Sequence, residues 1–275
     1  MMKQNNKWRL IVTSPLNGAW NMAVDEAILA SVSNGSSQPT LRLYAWYPFC
    51  LSLGQGQSIQ EVDMDFVKKA GWGLVRRATG GRAILHADEL TYSICAPLSD
   101  PHVQGGVIES YRNISSCLLL ALAKIGVIAD SKPKDVEQKH LAKDPICFQY
   151  PSDYEITFSG KKLIGSAQAR RAEGLLQHGS IPLFGDLSRI IPSLHFDSDL
   201  QKRSAAEKLK ERAMTVEEAA GRRVSWHDLA IAMVSAFEEQ FIIRFDRADI
   251  SGTEFDAAEK FMATKFASAD WTNRI

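Results

Sequence analysis

No stretch of the chain approaches the roughly 20 consecutive apolar residues that span a bilayer. The leading MMKQNNKWRLIVTS has no apolar core of the kind a secretory signal carries. An excess of either charge sign is also missing. Lys plus Arg and Asp plus Glu number 32 each, for a net charge of zero. That argues against a general nucleic-acid binder, which needs surplus cations to neutralise phosphates. Cysteine is sparse and irregular: Cys50, Cys95, Cys117 and Cys147 outline neither a disulfide framework nor a CxxC metal site. No His/Asp/Glu spacing suggests a metal site. Repeats, low-complexity tracts and a Pro/Gly-rich linker are absent. The expectation is a cytoplasmic protein with reduced thiols and neither membrane nor nucleic acid as partner. Its 275 residues, 45% hydrophobic, are ample for one large core.

What is present alternates between strand and helix signals. WRLIVT (8–13) reads as a strand. NMAVDEAILASV (21–32) reads as a helix, with Asn21 as its cap and Asp25 and Glu26 near its first turn. TLRLYAW (40–46) reads as a half-buried strand, CLSLGQGQ as strand and turn, and SIQEVDMDFVKKAG as a helix stopping at Gly71. WGLVRRA and RAILHADELTYSICAPL look like a pair of strands around the turn TGG. VIESYRNISSCLLLALAKI (107–125) has helical periodicity, and residues 130–144 are polar and loop-like. YEITF and KLIGSAQA form a predicted hairpin, and EGLLQHGSIPL a further strand. Beyond Gly185 the text turns helical. The fold class is α+β: a mixed β-sheet domain with flanking helices and a helical C-terminal part.

Four clusters could carry chemistry, and each admits two readings. RRATGGRAILH (76–86) sets Arg76 and Arg77 before a small-residue turn, Thr79-Gly80-Gly81, whose backbone a ligand can approach closely. The plain alternative is an ordinary turn beside two surface arginines. In GKKLIGSAQ (160–168), Lys161 and Lys162 are adjacent on a strand and face opposite sides. One therefore points into the domain, where an oxygen of a ligand would partner it. The alternative is a lysine that snorkels to water. His178, beside Gly179 in LQHGSIPL, either lines a pocket or is a hydrogen-bonded structural histidine. Cys147 follows the charged loop KHLAKDPI, whereas Cys50, Cys95 and Cys117 sit in apolar elements as inert fillers. A thiol becomes a nucleophile when a nearby cation depresses its pKa, and Lys162 is the candidate cation.

In this order, the blocks NMAVDEAIL, RRATGGRAILHADELTYS, GKKLIGSAQARR and LQHGSIPL resemble the lipoate-protein ligase A-like branch of the biotin/lipoate protein ligase superfamily. The resemblance runs from about Trp8 to Phe245. It implies a biotin/lipoate ligase-like catalytic domain over 8–245 and a helical tail over 246–275. It also implies an acyl-binding tunnel lined by Arg76, Arg77, Thr79, Gly80, Gly81, His86 and Tyr92 with Gly165, Ser166, Ala167, His178 and Gly179. The lysine matching Lys162 points at the acyl carbonyl.

Within that branch the chain is most similar to the Gram-positive-type octanoyltransferases. Their CF-x-x-PS-x-YE segment matches CFQYPSDYE (147–155), with the lysine fifteen positions beyond the cysteine, at Lys162. The implied reaction moves octanoyl from acyl carrier protein to a lysine of a lipoyl domain. Cys147 and Lys162 are then the catalytic pair, and neither metal nor nucleotide is needed. The implied acceptor is the glycine-cleavage H protein or an E2 subunit. Three other readings stand beside it: an ATP-dependent lipoate ligase with Cys147 incidental, an amidotransferase between lipoyl domains, and a non-catalytic binding protein. The ligase wording GGG has Arg82 in place of its third glycine here, which counts against the first. ELTYS (89–93) is closer to the octanoyltransferase wording than to the amidotransferase's.

Overall fold

In the computed structural model, which describes residues 6–132, 146, 155–171 and 174–275, most of the strands join one twisted sheet. The chain runs through β1 (Lys7–Val12), α1 (Gly18–Ser33), β2 (Thr40–Tyr44), β3 (Cys50–Leu53), α2 (Met64–Lys69), β4 (Gly73–Arg76), β5 (Ile84–His86) and β6 (Glu89–Pro97). It continues with α3 (Val107–Lys124), β7 (Asp130–Lys132), β8 (Glu155–Phe158), β9 (Lys161–Arg171) and β10 (Gly174–Pro182). After a 3-10 segment at Leu187–Ser193 come α4 (Asp199–Arg212), α5 (Val216–Ala220), α6 (Trp226–Phe241), β11 (Arg244–Arg247), α7 (Gly252–Phe261) and α8 (Ala269–Thr272). The large sheet has the order β11-β1-β2-β6-β10-β9-β8-β7, with only the β1 pairings parallel. A second sheet has the order β4-β3-β5.

Strand alternation assigns the two faces of the large sheet. Trp8, Leu10, Leu41, Leu43 and Ile94 pack against α3 and α6. Ile11, Tyr44 and Cys95 pack against α1, which is in turn covered by α7. The small sheet has its own core with α4 and the 3-10 segment, including Leu51, Leu53, Ile84, Ile190 and Leu209. The C-terminal residues are fastened in two ways. β11 pairs with β1, across residue 245, and Arg9 of β1 makes a two-pronged ion pair with Glu254 of α7. Among the described residues, no helix is long and apolar enough to cross a membrane.

Several local expectations change. The strands flanking the TGG turn do not pair with each other, because β3 lies between them, and RAILHADELTYSICAPL divides into β5 and β6 in different sheets. β2 is buried on both faces, since α1 covers the side expected to face water. The α1 cap is Asn17, which accepts from the Trp20 backbone. Asn21 lies inside the helix, where it donates to the carbonyls of Leu16 and Ala45 and accepts from Arg42. Asp25 and Glu26 therefore fall outside the first turn. The β8–β9 hairpin does form on a Ser159-Gly160 turn with both residues at positive φ.

Candidate active site

Register sets up the site. Gly165 of β9 faces Ser180 of β10, Ser180 faces Thr91 of β6, and Thr91 faces Tyr44 of β2. Two residues along, the parallel row is Ala167, His178, Ser93 and Arg42. Residues two apart share a face, so both rows look toward α1. The small sheet roofs the first row with Ile84 and His86, and the turn between β4 and β5 adds Arg77 and Gly81. The space between them is a cavity of about 210 Å³, which Met22 of α1, Trp46 and Lys162 also line. One end is open: Gly81 is exposed, and Arg82, Ser166 and Ala167 are partly so. The other end, at Met22, Tyr44, Trp46 and Thr91, is buried.

Two buried carboxylates organise the closed end from behind its lining. Glu89 accepts from the hydroxyls of Thr91 and Ser180 and pairs with His86 Nδ1 at 2.8 Å. Trp46 donates its Nε1–H to Thr91 Oγ1 at 2.8 Å and stacks on the His86 ring, centroids 3.9 Å apart. Asp25 accepts from Arg42 and Ser93, each at 2.8 Å, and from the Tyr44 hydroxyl at 2.9 Å. Burial alone would raise the Asp25 carboxyl, but the Arg42 guanidinium and the hydrogen bonds hold it below the usual carboxylate range. Asp25 Oδ2 also lies 3.7 Å from His178 Nδ1, while His178 Nε2 meets Thr79 Oγ1 at 2.7 Å. Burial pushes His178 below the ordinary imidazole value against the pull of Asp25, so the ring facing the cavity is neutral near pH 7.

The glycine turn is held by Arg77, which donates to Ser52 and to the carbonyls of Gly80 and Arg82. Ser52 Oγ also meets His86 Nε2 at 2.6 Å, which connects the turn to Glu89 through His86. A Cβ at Gly54 would sit 1.9 Å from the Gly81 carbonyl oxygen, so the two backbones touch only because Gly54 has no side chain, while Gly81 supplies the positive φ of +96° that the turn needs. Arg76 is turned to other use. Its guanidinium donates to the carbonyls of Gly54, Gln55, Gln57, Trp271 and Thr272, which clamps α8 to the loop that supports the turn.

Lys162 is 3% exposed and forms an ion pair with Glu155 of the neighbouring strand, whereas Lys161 reaches the Lys210 carbonyl on the other side. The β8–β9 ladder shifts register between Ile156 and Thr157, an irregularity of the kind that re-aims side chains beside a site. Ile146 is buried and bridges Ala83, two residues beyond Gly81. Cys147 lies outside the described residues. Burial pushes the Cys50, Cys95 and Cys117 thiols up, away from nucleophilic character.

Of the residues singled out in the sequence, the cavity collects Arg77, Gly81, His86, Lys162, Gly165, Ser166, Ala167, His178 and Gly179. Arg76, Thr79, Gly80 and Tyr92 stand outside its lining. Tyr92 shares a hydrogen bond with Ser166 at 2.7 Å across Gly179, whose missing side chain leaves room for the Tyr92 ring. Burial pushes the Tyr92 phenol up to about 12. Sequence reasoning missed Asp25, Glu89, Glu155, Trp46 and Met22. A signal existed for the first two: an acidic residue within an apolar element must be paired if that element is buried.

The chain matches the lipoyl protein ligase A/B catalytic domain family over residues 17–238. It is 40% identical to the octanoyltransferase LipM of Kyrpidia tusciae over 271 residues, 97% of this chain and 98% of the relative. It is 37% identical to the octanoyltransferase LipM of Brevibacillus brevis over 273 residues, 98% of this chain and 99% of that one. The fold superposes on the bi-partite lipoate protein ligase of Thermoplasma acidophilum with a TM-score of 0.82 and 25% identity, covering 97% of this chain and 96% of that one. Both the sequence match and this superposition take in the α1-facing rows and the glycine turn that enclose the cavity, and the chain belongs to the lipoyl protein ligase A/B catalytic domain family.

Proposed function

We propose that this protein is an octanoyltransferase of protein lipoylation. It takes octanoyl from acyl carrier protein and delivers it to the ε-amine of a lysine on a lipoyl domain, by way of a thioester on Cys147. The observation that carries the reading is the placement of Lys162: a buried ammonium at the wall of an otherwise largely apolar, one-ended cavity. An acyl chain suits the cavity, and the cation suits the charge that develops where the chain's carbonyl reacts. The Ile146–Ala83 bridge supports the role of Cys147, because it holds the residue preceding the cysteine beside the glycine turn.

In the first half-reaction the Cys147 thiolate adds to the thioester carbonyl of the donor. The carbon–sulfur bond to phosphopantetheine breaks, and its sulfur leaves as a thiolate that takes a proton from solvent. Lys162 balances the thiolate and the tetrahedral oxyanion; a charge so placed is typically worth ~3–4 kcal/mol. In the second, the acceptor amine adds to the acyl-enzyme, the amide forms, and the Cys147 thiol is released. His178 lines the cavity and is the candidate base; to take the amine proton its Nε2 must exchange the Thr79 hydroxyl for the amine. The acceptor is a lipoyl-domain protein, either the glycine-cleavage H protein or an E2 subunit.

The competing reading is an ATP-dependent lipoate ligase, favoured by likeness to a solved lipoate-protein ligase A bound with ATP, TM-score 0.79 and 25% identity. Arg82 counts against it: it stands where the ligase wording has a third glycine, and its side chain pairs with Glu61. A transfer assay separates the two. Purified protein, a lipoyl domain and octanoyl-acyl carrier protein are incubated without ATP, in parallel with free lipoate and ATP. Octanoylation of the domain only in the first reaction supports the transferase; acylation only in the second overturns it.

A further inference from the structure

We propose that Met22 sets the length of the acyl chain this cavity accepts, an inference that rests on the acyl-transfer reading above. The row Gly165–Ser180–Thr91–Tyr44 crosses three strand spacings, about 14 Å in all at ~4.8 Å each. It starts in the open half of the cavity and finishes at the buried end. An extended chain of eight carbons, advancing about 1.25 Å per 1.52 Å bond, covers roughly 9 Å. Contact with the end wall needs a further ~3.5–4.0 Å. The row is therefore a track for a straight medium-length acyl chain, and its end wall decides how many carbons enter.

Three side chains form that wall: Met22, Tyr44 and Trp46. Two of them are fixed by their polar atoms. The Tyr44 hydroxyl donates to Asp25, while Trp46 donates to Thr91 and stacks on His86. Moving either one inward or outward breaks a bond to a buried group. Met22 has no such tie. It comes from the helix rather than the sheet, is 3% exposed, and is held by packing among Ala23, Ile28, Trp46 and the rest of the α1 core. Its unbranched thioether is the one part of the wall that can change length without stranding a polar atom. The wall thus consists of a rigid frame and one adjustable stop.

The experiment follows acylation of a lipoyl domain with acyl carrier proteins bearing six-, eight-, ten- and twelve-carbon chains, for the wild type, Met22→Ala and Met22→Phe. Shortening the stop is expected to raise the ten-carbon to eight-carbon rate ratio about 10-fold or more, the scale of one methylene in an apolar pocket. Met22→Phe is expected to move the preference toward six carbons by a similar factor, and it keeps the test alive if Met22→Ala folds poorly. Chain-length rate ratios within about twofold of wild type in a folded variant of either kind overturn the assignment of Met22 while leaving the acyltransferase reading intact. A wild type that transfers no acyl chain at all overturns both.

Discussion

The two ends of the cavity are built on opposite plans. At the closed end the polar atoms of Tyr44, Trp46, Thr91, Ser180 and His86 lead back to Asp25 or Glu89, directly or through Thr91, so the lining shows the cavity mainly carbon. At the open end cations line the cavity itself: Lys162, which pairs with Glu155, and Arg82, which pairs with Glu61, beside a glycine turn with exposed backbone. A fully satisfied buried network is rigid and fixes a shape, whereas charges beside a reacting group act on chemistry. On the proposed reading, the closed end recognises a chain and the open end converts it.

Substitutions can break this contrast, beginning with the largest effect. Asp25→Ala leaves the fully buried Arg42 without its carboxylate and is expected to lower stability by about 3–5 kcal/mol in chemical denaturation. Lys162→Met, at the other end, is expected to cost less stability, because the Glu155 that loses this cation is 10% exposed against 0% for Arg42, and to slow enzyme acylation about 100- to 1000-fold in single-turnover measurements. Near-equal loss of stability in the two variants would erase the distinction. Gly179→Ala sets a Cβ 2.5 Å from Tyr92 Cε1 and 2.8 Å from Ser166 Oγ, an overpacking worth about 1–3 kcal/mol.

The pH dependence of stability sharpens the contrast further. The folded-state pKa of His178 is depressed by burial, so just below pH ~6.5 the unfolded chain binds the proton that the folded chain refuses. Stability therefore falls as the pH drops through that window. His102 works in the opposite sense, since Asp100 holds it up against burial and its contribution is lost as pH rises. His178→Asn should flatten the acid-side slope of the melting temperature relative to wild type and leave the His102 slope in place. The smallest effect is Arg82→Ala: its half-exposed pair with Glu61 at 3.3 Å is worth under about 1 kcal/mol.

How far the sequence could be read follows from the range of the forces involved. Local signals were sufficient for the β8–β9 hairpin, for α3, and for the opposite faces of Lys161 and Lys162, because alternation and turn chemistry act over a few residues; which of the two turns inward came from the resemblance. The insertion of β3 between β4 and β5, and of β11 beside β1, depends on pairings between segments from 23 to more than 200 residues apart, and no local pattern encodes them. Arg76 and Arg77 show the same limit at the site. Adjacent and identical, they serve different partners, one the C-terminal helix and the other the glycine turn, because Arg76 ends strand β4 and Arg77 begins the turn after it. Asp25 and Glu89 were visible as acidic residues in apolar text, but their partners come from four separate elements of the fold.

The central claim, that the open end carries out acyl transfer through Cys147, is tested most directly by intact-protein mass spectrometry. Wild type and Cys147→Ala are mixed with octanoyl-acyl carrier protein in the absence of ATP and of any acceptor. The account predicts that the wild type gains the mass of one octanoyl group, that hydroxylamine removes it, and that the variant gains nothing. An adduct of equal size on the Cys147→Ala protein, or none on the wild type while free lipoate and ATP still modify a lipoyl domain, would contradict it.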